Sequence, residues 1–176
     1  MDDTKQIHFI VGMDRLSGVN TPLYYTETIL HSCAEHLRDS EVFTVEVIQR
    51  DMGRGEAINR AKKEQDSYVV WLQLRSDSLR NNTQNIDLND VVLEYWVFNP
   101  TTATLKTSGR TYPGAYRRKG VIVNPRTSGI YGDYVLKEAA RDAAERILAA
   151  FGVKRSRTSR VWSLESGVWS HESFRA

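Results

Sequence analysis

The sequence has one cysteine, four prolines and no long hydrophobic run. A single cysteine, Cys33, cannot form a disulfide within the chain, which excludes a small scaffold held together by disulfides. The longest uninterrupted apolar runs, such as 68–72, are far shorter than the roughly 18 residues that a membrane-spanning helix needs. No transmembrane segment is therefore predicted.

The sequence also lacks an excess of charge of one sign. Its 24 lysines and arginines nearly balance its 22 aspartates and glutamates, giving a net charge of +2. Any affinity for nucleic acid or a membrane surface must therefore be local. Residues 1–5 are polar, so no signal peptide is visible, and we expect a cytoplasmic protein unless a leader precedes Met1.

What is present is the composition of a globular α/β protein. The 176 residues are 40% hydrophobic and 26% charged, enough for one domain. Hydrophobic periodicity predicts strands and helices in the order β-α-β-α-β-β-β-α, that is, a mixed sheet of about five strands with helices packed on it. The predicted strands are 7–11, 42–48, 68–72, 91–98 and 103–107, and the predicted helices are 21–38, about ten residues after Gly55, and 133–151.

Several ends of these elements have chemical signals. Gly12 is predicted to close the first strand, and the charged stretch 49–51 to end the second. Asp133 is predicted to cap the last helix and Gly152 to stop it. The domain is accordingly expected to span 1–152, followed by a C-terminal extension over 153–176.

Catalytic and cofactor signals are weak. The sequence has neither of the glycine-rich patterns that bind nucleotides, G-x-x-x-x-G-K-[ST] and G-x-G-x-x-G. Cys33 and His36 have the spacing of a helical metal pair, but Cys33 falls on the apolar stripe of its helix, where a buried thiol is the usual explanation. We predict no catalytic residues, no metal ligands and no cofactor, and hence no enzyme.

The most informative feature is the segment 109–132, which has no regular period. Long irregular connections within a compact domain are usually functional or mobile. This one has five basic residues, no acidic residue and three tyrosines, a mixture typical of protein interfaces and also able to grip phosphates. Three interpretations of the segment remain open: a solvated loop, a contact for a protein or peptidoglycan-associated partner, or a nucleic-acid contact. Its candidate binding residues are Arg110, Tyr112, Tyr116, Arg117, Arg118, Lys119, Arg126 and Tyr131.

The C-terminal extension contains a basic stretch and then two related copies, VWSLES and VWSHES. Trp162 and Trp169 lie in these copies, and tryptophan is costly to leave in water. Two copies are too few for a solenoid. We therefore expect both tryptophans to pack on the domain, on a second copy or on a partner, with simple disorder as the alternative.

Five stretches of the sequence carry a family resemblance. They are 7–11, LRDSEVFTV at 37–45, DSYVV at 66–70, VLEYWVFNPTTATL at 92–105 and the alanine-rich helix 133–151. In this order they resemble the amino-terminal domain of TolB, a fold related to the curli secretion lipoprotein and to lipoproteins that activate penicillin-binding proteins. The resemblance covers about residues 7–152.

The resemblance implies a non-enzymatic module of the bacterial cell envelope that works by contacting other proteins. Its expected partner is another envelope protein or a second copy of itself, and nucleic acid is disfavoured. The expected location is the periplasm or the outer membrane if a leader precedes the sequence, and the cytoplasm otherwise. The alternative is a cytoplasmic phosphate- or nucleic-acid-binding protein that uses the basic segment 109–132, which would show a steep dependence on salt.

Overall fold

The computed structural model describes residues 6–15, 23–76, 91–116 and 129–153. Strands and helices alternate at first, and a run of three strands then precedes the last helix, in the predicted order. The elements are β1 (Ile7–Asp14), α1 (Leu23–Arg38), β2 (Phe43–Asp51), α2 (Arg54–Lys63), β3 (Ser67–Ser76), β4 (Val91–Phe98), β5 (Leu105–Thr111), a 3₁₀ turn (Pro113–Tyr116) and α3 (Gly129–Ala150).

The strands form one mixed sheet in the order β2-β1-β3-β4-β5. β1 runs parallel to both β2 and β3, whereas β3, β4 and β5 are successively antiparallel. β3 is the middle strand, as its nearly continuous hydrophobic sequence predicts, since a strand covered on both faces has no polar side. Val69, Val70 and Leu72 are fully buried. The predicted α/β fold with a mixed five-stranded sheet is confirmed.

One face of the sheet is covered by α1 and α3, which pack against each other. Thr28 Oγ1 donates to Asp133 Oδ1 at 3.1 Å, and His36 Nε2 lies 3.6 Å from Glu145 Oε1. Residue numbers rise together along the two helices, so they run parallel. The core between the helices and the sheet is made of fully buried side chains, including Phe9, Met13, Leu30, Leu37, Leu93, Leu136 and Ile147.

Of the described helices, only the ten-residue helix α2 packs on the other face. Ala57 and Ala61 let this helix approach the sheet closely, and they share a small cluster with Trp71 and Phe98. No helix in the described part of the chain is long and apolar enough to cross a membrane. Over the residues that the structure describes, the two faces thus differ in how much helix covers them.

Two strand ends differ from the sequence predictions. Gly12 does not close β1, which continues to Asp14, because the missing Cβ leaves the space that the Met52 side chain fills. The charged stretch 49–51 does not end β2, since an edge strand can continue with its side chains in water.

The region before α3 shows two further corrections. β5 spans Leu105–Thr111 rather than 103–107, so the segment predicted to be irregular from 109 begins inside a strand. α3 begins at Gly129, so Asp133 lies within the helix and bonds Thr28 and Lys137 instead of capping. Gly152, with φ +76°, follows the helix as the sequence predicts.

Candidate interaction surfaces

Of the candidate residues in the segment 109–132, the structure describes the side chains of Arg110, Tyr112 and Tyr116. Arg110 is on β5 rather than in a loop, and Tyr112, just after this strand, is 42% exposed. The remaining candidates lie outside the described side chains: Arg117, Arg118, Lys119, Arg126, Tyr131, Trp162 and Trp169.

Tyr116 has a structural role. It ends the 3₁₀ turn and is partly buried against α3. Burial, together with a hydrogen bond to Asp142, raises the pKa of the Tyr116 hydroxyl to about 12. The side chain thus ties the turn after β5 to the last helix.

A buried carboxylate with two arginine partners lies on the sheet face on which α2 packs. Glu94, on β4, has a side chain only 3% exposed and bonds two arginines that are more than half exposed. Arg110 Nε lies 2.8 Å from Glu94 Oε1, and Arg75 Nη1 lies 3.4 Å from Glu94 Oε2. A buried carboxylate is costly unless it is paired, so Glu94 fixes both guanidinium groups in place.

Sheet register explains why these groups meet. Asp14, Gln73, Glu94 and Arg110 are directly opposite one another on β1, β3, β4 and β5, and therefore form one row across the sheet. At one end of this row, Gln73 Nε2 donates to Asp14 Oδ2 at 3.3 Å. The row thus consists of a hydrogen-bonded pair, Asp14 on β1 and Gln73 on β3, followed by an ion pair, Glu94 on β4 and Arg110 on β5.

The neighbouring row on the same face is aromatic. Trp71 and Trp96 are opposite each other on β3 and β4, with ring centroids 4.8 Å apart. Trp71 Nε1 donates to the Met52 carbonyl at 2.7 Å, and Arg54, the first residue of α2, places its guanidinium carbon 5.9 Å from the Trp96 centroid. We call the surface formed by Arg54, Arg75, Glu94, Trp96 and Arg110 the arginine face.

A second surface is apolar and lies where α1 and α3 begin. Leu23 is 59% exposed, Tyr24 45% and Tyr134 39%. Tyr24 is one helical turn before Thr28, whose hydroxyl bonds Asp133, the neighbour of Tyr134. The parallel packing therefore brings the three exposed side chains to the same end of the helix pair. We call this surface the helix-pair patch.

The carboxyl ends of β1 and β3 form a switch point, because the connections through α1 and α2 cover opposite faces of the sheet. Ligands of open α/β sheets often bind at such a point. Here the Arg15 backbone N–H donates to Asp51 Oδ1 at 2.6 Å, and Arg15 Nη1 lies 3.6 Å from Glu27 Oε1. These contacts connect the ends of β1 and β2 with α1. They involve two carboxylates, those of Asp51 and Glu27, and one arginine, Arg15.

Cys33 lies in the core, as its place on the apolar stripe predicts. Burial raises the pKa of its thiol to about 12, so the thiol stays protonated at neutral pH and is a poor nucleophile.

His36 lies close to two carboxylates: its Nδ1 is 3.7 Å from Asp39 Oδ2, and its Nε2 is 3.6 Å from Glu145 Oε1. Within the described ranges, no three His, Cys, Asp or Glu side chains form a group that could hold a metal.

Sequence reasoning missed Arg54, Arg75, Glu94 and Trp96 as site residues. One signal was present, since alternation along 91–98 assigns Glu94 to the same side as Trp96. A glutamate within a strand of otherwise apolar residues indicates a partnered carboxylate. Its partners could not be read from the sequence, because they depend on the register with β3 and β5.

Comparison with known proteins adds little to this description. No protein-family model and no curated protein matches the chain. A variant PelC dodecamer from Paraburkholderia phytofirmans is similar in structure, with a TM-score of 0.46 and 13% identity over 84% of this chain and 89% of that one. A second PelC dodecamer structure from the same organism gives a TM-score of 0.43 and 12% identity over 86% and 91% of the two chains. Similarity at this level does not bear on what this chain does.

Proposed function

We propose that the chain is a non-enzymatic protein-binding or assembly module of the bacterial envelope. The observation that carries the proposal is the helix-pair patch, where Leu23, Tyr24 and Tyr134 remain exposed at adjoining helix ends. Fully burying a leucine side chain yields about 1.5–3 kcal/mol, and tyrosine is enriched among the residues that dominate interfaces. Covering this patch with a partner would therefore be favourable.

The envelope location and the lack of catalysis come from the resemblance to the TolB amino-terminal domain. Cys33 is buried and its thiol stays protonated at neutral pH, which argues against catalysis by a cysteine nucleophile. The expected partner is another envelope protein or a second copy of the chain. Protease protection in fractionated cells tests the location, because an envelope protein is digested once the outer membrane is opened.

Site-specific photo-crosslinking in the host cell tests the patch. A photoreactive phenylalanine analogue replaces Tyr24, and a matched control carries it at Ala149, an exposed residue near the other end of α3. Positions 134 and 149 are separated by roughly 22 Å along the helix, at about 1.5 Å per residue. We expect a protein adduct of defined mass from position 24 and none from position 149. Equal labelling, or no adduct at position 24, contradicts the proposal.

The alternative function is phosphate or nucleic-acid binding through the segment 109–132. Among the described residues, Arg110 supports it, because its side chain is 59% exposed. Binding to phosphates releases counterions, so affinity would fall steeply as salt is added. A titration with single-stranded DNA at two salt concentrations therefore separates this alternative from a protein contact anchored by tyrosine.

A further inference from the structure

The arginine face combines fixed guanidinium groups with an excess of positive charge. Among the described residues, Glu94 is the one carboxylate within ion-pair distance of Arg75 or Arg110. Three guanidinium groups, including that of Arg54 beside Trp96, and the Glu94 carboxylate sum to +2, and Asp14 at the β1 end of the same row lowers the sum to +1. The buried acid therefore holds two exposed cations without neutralising both.

Guanidinium groups held in this way are suited to bind carboxylates. Arginine has about five N–H donors in a planar fork that matches a carboxylate, and Glu94 occupies only part of each fork. The two side chains are already ordered by the buried acid, so less conformational entropy is lost when a partner binds. A carboxylate at the exposed side of the pair would complete a network of alternating charge.

We propose that the arginine face binds an acidic segment of a partner protein, with carboxylates on Arg75 and Arg110 and further contact at Arg54. The inference rests on the proposed function, because it names the chemistry of a protein partner. It concerns the side of the sheet opposite the helix pair, so the chain would have contact surfaces on two sides, as a module that links neighbours requires.

The same geometry disfavours nucleic acid at this face. Single-stranded nucleic acids are gripped by a continuous basic groove together with aromatic rings on which bases stack. Here the Trp96 ring already contacts Trp71 and Arg54. Among the described residues, the row of charges has no cation on β1 or β3, where Asp14 and Gln73 lie, so no cationic track continues along it across the sheet. A short acidic segment needs neither a free ring nor such a track.

The test uses a triple variant, Arg75→Gln, Glu94→Gln and Arg110→Gln. Removing both arginines alone would leave Glu94 buried and unpaired, so the acid is neutralised in the same variant. The variant lowers the net charge by one. Arg141→Gln is the matched control, because it makes the same net change on the exposed surface of α3. Circular dichroism and thermal unfolding establish that each variant is folded.

Binding is measured by NMR titration of the full chain with a short peptide of alternating glutamate and serine. The control peptide has glutamine in place of glutamate. We expect the acidic peptide to shift the backbone signals of residues 94 and 110 and the indole signal of Trp96. The triple variant should bind at least about tenfold more weakly, and Arg141→Gln should bind as the unmodified protein does. The same titration is repeated with single-stranded DNA.

Each outcome decides the inference. Loss of acidic-peptide binding in the triple variant alone supports it. An absence of shifts at the arginine face, or equal binding by all variants, overturns it. Preferential binding of DNA, lost in the triple variant and steeply dependent on salt, overturns it in favour of the alternative function. Adducts from position 24 report on the proposed function separately, so a failure of the inference can be distinguished from a failure of the proposed function.

Discussion

In the part of the chain that the structure describes, helices cover the two faces of the sheet to different extents. The face under α1 and α3 contains the larger core, with fully buried Phe9, Leu93 and Leu136. The opposite face has a smaller cluster under α2, and beside it a row of polar groups centred on Glu94. The difference shows that helix coverage, and not the sheet alone, decides where polar side chains can remain accessible to a partner.

The largest expected effect comes from breaking the larger core. Leu93→Ala removes a fully buried side chain beneath the helix pair and should lower the free energy of unfolding by about 2–5 kcal/mol. Ile58→Ala, at a partly buried position of the α2 cluster, should cost less. Urea denaturation measures both. A loss below about 1 kcal/mol for Leu93→Ala would contradict its assignment to the core.

A smaller effect should follow from filling one glycine position on each face. A Cβ at Gly109 would lie 2.5 Å from the Tyr95 hydroxyl and 2.7 Å from its ring, which cannot bend away. Gly109→Ala should therefore cost about 1–3 kcal/mol. Gly12→Ala meets the flexible end of Met52 instead and should cost less. Thermal unfolding of the two variants compares the faces, and an equal or reversed order would contradict this account of the packing.

Alkaline pH should lower the free energy of unfolding by about 1 kcal/mol through Cys33, which lies in the larger core under α1 and α3. Burial raises the pKa of Cys33 from 9.0 to about 12, so above pH 9 the unfolded chain loses the thiol proton while the folded chain keeps it. Stability is therefore fully present below pH 9 and falls as pH rises toward 12. Tyr25 and Tyr116 add the same effect above pH 10, because their pKa values rise from 10.0 to about 12.

The Cys33 contribution can be isolated between pH 9 and 10. Over this interval the free energy of unfolding should drop by about 1 kcal/mol more in the unmodified protein than in Cys33→Ala. The substitution also changes core packing, but that cost shifts the whole curve and not its slope. Parallel slopes in the two proteins would show that the folded thiol titrates normally.

The smallest expected effect on stability is at the helix-pair patch. Leu23→Ser replaces the most exposed side chain of the patch, which is 59% exposed, and should change the free energy of unfolding by no more than about 0.5 kcal/mol. Chemical denaturation checks this value. A larger loss would mean that Leu23 stabilises the fold itself, and the patch would then be part of the structure and not a contact surface.

Much of the fold could be predicted from the sequence because the hydrophobic period is clear. β4 spans the predicted residues 91–98, and the apolar stripe of α1 predicted the burial of Cys33. Errors occur at element ends such as Gly12, Gly109 and Asp133. In those places a neighbour distant in sequence decides the outcome: Met52 packs against Gly12, Tyr95 packs against Gly109, and Thr28 bonds Asp133.

The candidate site was harder to predict than the fold. Basic and aromatic composition drew attention to the segment 109–132, and within it Arg110 proved to be part of the arginine face. Arg54 and Arg75 are far from Arg110 in sequence, and only strand order and the position of α2 bring them near the same face. Composition can therefore identify one residue of such a surface, whereas the other residues can be identified only once the pairing of the strands is known.

The most direct test of the central claim is photo-crosslinking from both sides of the molecule in the host cell. The photoreactive residue is placed at Tyr24 in the helix-pair patch, at Ser108 beside Trp96 on the arginine face, and at Ala149 as control. The account predicts protein adducts from positions 24 and 108 and none from position 149. An absence of adducts at either surface, or equal labelling at all three positions, would contradict it.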